Sequence, residues 1–215
     1  MKVIKAYTQI CGDINGQEIL KKIEAVGRTC YKSEDKIKEG SAEKFVSALI
    51  NRGHEAMLEH QSITIKFVVD RGISHELVRH RLASFAQEST RYCNYSKDVF
   101  GTEITFILPE SIGCDTPQYE VWKEAMQNCE DAYFNLLNIG LMPEMARAVL
   151  PNSLKTEVVM TANLREWRHF FKLRAANTTG KAHPQMLEVT IPLLEALKVL
   201  IPIVFDDIKV GDYDA

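Results

Sequence analysis

The stretch SITIKFVVD, residues 62–70, sets Ile63, Ile65, Phe67 and Val69 two apart, the period of a strand that buries one face. A one-faced sheet needs a second layer to cover it, and the rest of the chain supplies amphipathic helices for that purpose. In QEILKKIEAVG, Ile19, Leu20, Ile23 and Val26 recur at helical spacing, and Gly27 reads as the stop. SAEKFVSALINRG repeats the design, with Ser41 as N-cap, Phe45, Val46, Leu49 and Ile50 as the apolar stripe, and Gly53 after the end. Ser74 reads as the cap of a helix HELVRHRLASF, and a long helix is expected over residues 117–138. PEMARAVL is a short helix opened by Pro143 and closed by Pro151, and Asn163 with Glu166 makes a capping-box-like start to LREWRHFFKLR. Residues 184–205 read as a final helix kinked near Pro192. KVIKAY, EITFIL and TEVVMTA complete the strands. No linker, repeat or low-complexity tract interrupts the chain, so the expectation is one α+β domain over residues 1–215, with a small, mainly antiparallel sheet and several long helices.

Composition narrows the function. A formal charge of -3 over 215 residues and a pI near 6.1 argue against a surface built to grip nucleic acid. Cys11, Cys30, Cys93, Cys114 and Cys129 are odd in number and form no C-x-x-C pair, so neither a disulfide framework nor a zinc ribbon is indicated. The opening MKVIKAYTQICGD has no apolar core of a leader, and no stretch is apolar for long enough to span a bilayer; a soluble, cytoplasmic protein is expected. HEAMLEH holds His54, Glu55, Glu59 and His60, but it is not H-E-x-x-H, so no metal site is expected. Neither G-x-G-x-x-G nor a P-loop occurs.

The chemistry concentrates in RHRLASFAQESTRY, residues 79–92. Three adjacent cations repel one another unless something negative sits among them. Read as helix, Val78, Leu82 and Phe85 form one stripe, and Arg79, His80 and Arg81 fan over about 200° beside it, too wide for one small anion. QESTRY then offers hydroxyls, the fork of Arg91 and the ring of Tyr92, a mix suited to phosphate and ring recognition. Arg147 lies in the short helix between two prolines. Arg174 falls seven residues after Trp167 and continues the stripe of Phe170 and Phe171; it reads equally as an inward cation needing an acceptor or as a helix-end arginine bonding the last carbonyls.

RHRLASFAQESTRY resembles the R-H-R-x7-S signature of flavin-dependent thymidylate synthases, and RGHEAMLEH, ARAVLP and NLREWRHFFKLR resemble that family's other blocks in the same order, over roughly residues 25–190. The resemblance implies synthesis of dTMP from dUMP, with the methylene carbon of methylenetetrahydrofolate and a hydride passed from NADPH through FAD, in a homotetramer whose active sites are shared between subunits. It places Arg79, His80, Arg81, Asn163, Arg165 and His169 at FAD, joined by His54 and Gln87. It places Glu76, Arg79, Gln87, Glu88, Ser89, Thr90, Arg91 and Arg147 at dUMP, and Arg174 where the uracil ring is polarised. Ser89 is then a binding residue. The chain departs from some members at Ala56, where they carry threonine, at His169, where they carry asparagine, and in AANTTGKAHPQ, which is longer. Two rival readings carry different chemistry: a methyltransferase with Cys93 or Cys30 as nucleophile, and a non-catalytic nucleic-acid module using residues 79–91 as a phosphate clamp.

Overall fold

A computed structural model describes residues 1–93, 95 and 102–211 of the chain. The chain divides into two compact units that are interlaced in sequence. One holds Met1–Thr8, Lys66–Arg79 and Phe85–Val159; the other holds Gln9–Ile65, His80–Ser84 and everything from Met160 onward.

In chain order, the strands are β1 (Lys2–Ile4), β2 (Tyr7–Cys11), β3 (Ser62–Asp70), β4 (Ala83–Gln87), β5 (Thr105–Ile107) and β6 (Lys155–Asn163). The helices are α1 (Gly16–Thr29), α2 (Ser41–Asn51), α3 (Arg71–Leu77), α4 (Pro117–Asn138), α5 (Pro143–Ala146), α6 (Leu164–Arg174) and α7 (Pro184–Leu200). The mixture of helices with a small sheet agrees with the α+β expectation.

Four strands pair in the order β2-β3-β6-β4. β3 and β6 are antiparallel: Gln61 O accepts from Leu164 N, the Thr64 and Thr161 hydroxyls meet at 2.9 Å, and Leu154 O accepts from Arg71 N, so one number falls as the other rises. β1 and β5 pair in parallel, Lys2 opposite Thr105.

In the first unit, Phe106, Ile104, Tyr133, Leu154 and Ala146 form a buried cluster under α4 and α5. α4 starts where Thr116 Oγ1 accepts from Tyr119 N, with Pro117 at the first position. In the second unit, Trp167, Phe170, Phe171 and Phe205 pack ring on ring, and all four are fully buried. The indole N–H of Trp167 donates to Ile63 O at 3.2 Å, tying α6 to β3. α1 meets the end of α7 so closely that a Cβ on Gly16 would stand 2.1 Å from Leu200 O, which only glycine permits.

Three local expectations change. Gly27 does not end α1, which runs on to Thr29; it is buried because the Phe45 ring lies where a side chain would be. Ser41 is the first residue of α2 and not its cap; its hydroxyl donates to buried Glu24, and Gly40 precedes it in the left-handed region. α3 is capped by Asp70, whose carboxylate accepts from Ile73 N at 2.8 Å, and Ser74 sits inside the helix. Pro192 lies within α7, and Asn163 caps α6 by accepting from Glu166 N at 2.9 Å.

Candidate active site

α3 stops at Leu77, so Arg79, His80 and Arg81 are not on a helix. They lie in the turn that leads into β4, and the expected stripe of Val78, Leu82 and Phe85 is absent: Val78 and Leu82 are exposed. Helical propensity continues past Leu77, but Ala83–Gln87 gains a sheet partner in β6, and pairing wins over propensity. In the turn Arg79 and Arg81 are exposed while His80 is buried. The three cations therefore do not fan around one axis, and their repulsion is relieved because the middle one is neutral.

His80 belongs to the second unit, where α6 surrounds it. Its ring stands edge-on to Phe170 at 4.8 Å and 6.2 Å from the ring of His169. Nδ1 is 3.4 Å from Glu166 Oε1, and Nε2 accepts from Arg174 Nε at 3.2 Å. Burial, then the charges of Arg174 and His169, pull its pKa down to about 4. Glu166 is itself buried, which pushes its carboxyl above the usual range against the opposing pull of His169.

The same helix lines a cavity of about 590 Å³ with Asn163, Arg165, Glu166, His169 and Lys172, faced by Glu55, Glu59 and Leu82. Its cations are held by acids: Arg165 by Glu59, and Lys172 by Glu55 at 3.5 Å. Glu55 also accepts from fully buried Arg168, which forks onto Asp207 at 2.6 and 2.8 Å and donates to Val204 O. His54 and Ala56 line a smaller cavity of about 280 Å³ with Leu49, Met57, Tyr31 and Cys30, which shares Glu55 and Arg165 with the larger one.

The other candidates gather in the first unit. The amide of Gln87 donates to Ser74 Oγ at 2.9 Å and Thr156 Oγ1 at 3.2 Å. Arg147 Nη1 donates to Thr90 Oγ1 at 3.0 Å, and Arg91 Nε donates to Glu144 Oε2 at 2.9 Å, so the loop after β4 is tied at two points to α5 and to Arg147, which caps its end. Ser89 Oγ accepts from Arg91 N. Glu76 is half-buried on α3. Glu88 turns elsewhere: it accepts from Lys155 at 2.9 Å and from the Tyr95 hydroxyl at 3.3 Å, in a cavity of about 380 Å³ with Cys93 and Glu157. Burial, then Glu88, push the Cys93 thiol up. Among the described residues no group of acidic, histidine or cysteine side chains could hold a metal ion.

Sequence reasoning missed Lys172, Glu55 and Glu59 at the large cavity and Glu144 on Arg91. Lys172 was within reach of pattern: on a helix, Arg165, Glu166, His169 and Lys172 share an arc of about 120°.

The fold is one that a solved nucleotide methylase shares. The crystal structure of the UMP/dUMP methylase PolB from Streptomyces cacaoi bound with 5-Br dUMP superposes with a TM-score of 0.75 over 96% of each chain, at 23% identity. The family described as thymidylate synthase complementing protein matches residues 15–203, and the chain belongs to it. The flavin-dependent thymidylate synthase of Pyrococcus furiosus is 37% identical over 172 residues, 80% of this chain and 68% of that one. That of Geobacter sulfurreducens is 34% identical over 191 residues, 86% and 79%, and that of Corynebacterium glutamicum 33% over 216 residues, 92% and 82%.

Proposed function

We propose that this chain is a flavin-dependent thymidylate synthase that converts dUMP to dTMP, with methylenetetrahydrofolate as carbon donor, NADPH as reductant and FAD between them. The observation that carries the reading is membership of that family with Arg79, His80, Arg81, Ser89, Arg147 and Arg174 all in place. The methylene carbon must become a methyl group, so two electrons are needed from NADPH, and the folate leaves as tetrahydrofolate.

The donor set around α6 fits a flavin dinucleotide. A volume of about 590 Å³ lies in the usual range for organic ligands, about 300–1,000 Å³. Arg165 and Lys172 suit a diphosphate, Asn163 and His169 a polar ring edge, and the apolar wall of Leu49, Met57 and Tyr31 beside His54 suits an aromatic ring. Burial and two hydrogen bonds already occupy the His80 ring, so its part in that site is support and not direct grip. Bound there with exposed Arg79 and Arg81, FAD supplies hydride chemistry. The protein's own residues bind, orient and polarise. Arg91, Arg147 and the hydroxyls of Ser89 and Thr90 meet the dUMP phosphate, with Glu76, Arg79 and Gln87 completing the nucleotide set; Glu88, held by Lys155 and Tyr95, is left out of it. Arg174 faces the pyrimidine, where a fixed guanidinium draws density onto the carbonyl oxygens and makes carbon 5 nucleophilic without a covalent adduct. The whole chain acts as one domain, and four copies assemble with shared sites; exposed Leu82, inside the signature, and Tyr92, just after it, suit such an interface.

The cysteine rival is weakened by Cys93, whose raised pKa makes it a poor nucleophile at neutral pH. Clamping of nucleic acid is weakened by the formal charge of -3 on the chain. The test is a visible spectrum of purified protein followed by addition of NADPH, dUMP and methylenetetrahydrofolate. Flavin absorbance that bleaches with NADPH, and dTMP formation that survives Cys93→Ala, are expected; colourless protein that takes up no added FAD ends the reading.

A further inference from the structure

Arginine carries only donors, so the 3.2 Å contact from Arg174 Nε to His80 Nε2 requires a lone pair on that nitrogen. The ring is neutral at ordinary pH, and its single proton must then sit on Nδ1, the nitrogen that faces Glu166 at 3.4 Å. Glu166, His80 and Arg174 thus form an ordered chain of acceptor, neutral imidazole and guanidinium. It is closed against water by Phe170, with His80 and Glu166 each about 5% exposed. The charged or titratable groups that face the imidazole are Glu166, His169 and Arg174, all from α6. Glu166 is fixed in turn at the helix start, where Asn163 caps its backbone N–H.

We propose that Glu166 and His80 are positioning residues for Arg174: the carboxylate holds His80 as the Nδ1–H tautomer, and the Nε2 lone pair fixes Arg174 by its Nε. With Nε engaged, the guanidinium plane is set before substrate arrives. The middle residue of the R-H-R run is therefore the hinge pin of the polarising arginine, while its two neighbours point to solvent. This rests on the reading of Arg174 as the pyrimidine-facing cation, and its two halves can fail separately.

The first measurement is ¹⁵N NMR of histidine-labelled holoenzyme at neutral pH, with the His80 signal assigned by its loss in His80→Asn. The proposal expects a protonated Nδ1 and a bare Nε2 in wild type, moving toward the Nε2–H form in Arg174→Ala and Glu166→Gln. A wild-type Nε2–H ring, or a tautomer unmoved by both variants, overturns it. The second is steady-state dTMP formation. Glu166→Gln should lower turnover about tenfold, the scale of one lost supporting hydrogen bond, at near-normal dUMP KM and flavin content. The double variant Glu166→Gln with Arg174→Ala should be no worse than Arg174→Ala alone. His80→Gln, which can return an acceptor toward Arg174, should outperform His80→Asn; the reverse order counts against the relay. If Arg174→Ala collapses turnover but the effect of Glu166→Gln simply multiplies with it, the relay fails and the proposed function stands. If Arg174→Ala turns over like wild type, the role of Arg174 itself is lost, whatever the tautomer.

Discussion

Arg174 ends α6, and its Nε goes to a histidine 94 residues earlier in the chain. The stripe of Trp167, Phe170 and Phe171 left open whether it turns inward or bonds the last carbonyls; it is half-buried, with Nε on His80. Its seat was not legible, because nothing local links position 174 to position 80. Replacing Arg174 by alanine removes one preorganised donor and should cost on the order of 3 kcal/mol in the chemical step, about a hundredfold in turnover. Lysine should rescue only part, since it keeps the charge without the planar fork; dTMP rates with dUMP affinity measured alongside check both variants. His80 makes a different prediction. Its folded pKa of about 4 lies below its ordinary 6.5. Between those values the unfolded state binds the extra proton, so stability falls as pH drops from 6.5 toward 4 and His80 adds no further slope below that. From pH 7 to pH 5 this one residue should remove about 2 kcal/mol. Urea midpoints at the two pH values should differ by less in His80→Asn than in wild type.

At the scale of elements, β3, α4 and α6 could be read from sequence because each carries a local signal: alternation in 62–70, Pro117 at a helix start, and Asn163 with Glu166. α3 was overextended because Val78–Phe85 has acceptable helical spacing, and only the neighbouring strand β6, some seventy residues later, makes 83–87 a strand. Gly27 and Ser41 were misassigned for a related reason. Glycine and serine mark helix ends in isolation, whereas here they are the small residues that let Phe45 and Glu24 come close. Gly16 is the strictest such case. Gly16→Ala drives a Cβ onto a backbone oxygen of Leu200, which has no rotamer to change, and should destabilise by about 1–3 kcal/mol. Thermal unfolding of the variant beside wild type measures it; an unchanged midpoint means that α1 and the end of α7 part at no cost.

At the scale of the molecule, the candidate residues divide as the chain does. Gln87, Ser89, Thr90, Arg91 and Arg147 fall in one unit, and His80, Asn163, Arg165, His169 and Arg174 in the other. If the proposed tetramer forms, sedimentation should return four times the chain mass at micromolar concentration, and charged substitutions at Leu82 or Tyr92 should lower it; a monomer that makes dTMP removes the assembly from the mechanism. The interlacing also imposes a timetable. The chain changes unit at 8/9, 65/66, 79/80, 84/85 and 159/160, so neither unit is a contiguous stretch. Thr64 waits for Thr161, 97 residues downstream, and at about 5–20 residues per second on the ribosome that is roughly 5–20 s. Throughout that interval the half-strand 62–65 presents an unpaired edge to any neighbouring nascent chain. The risk of mispairing at this edge is thus concentrated in the seconds before β6 emerges.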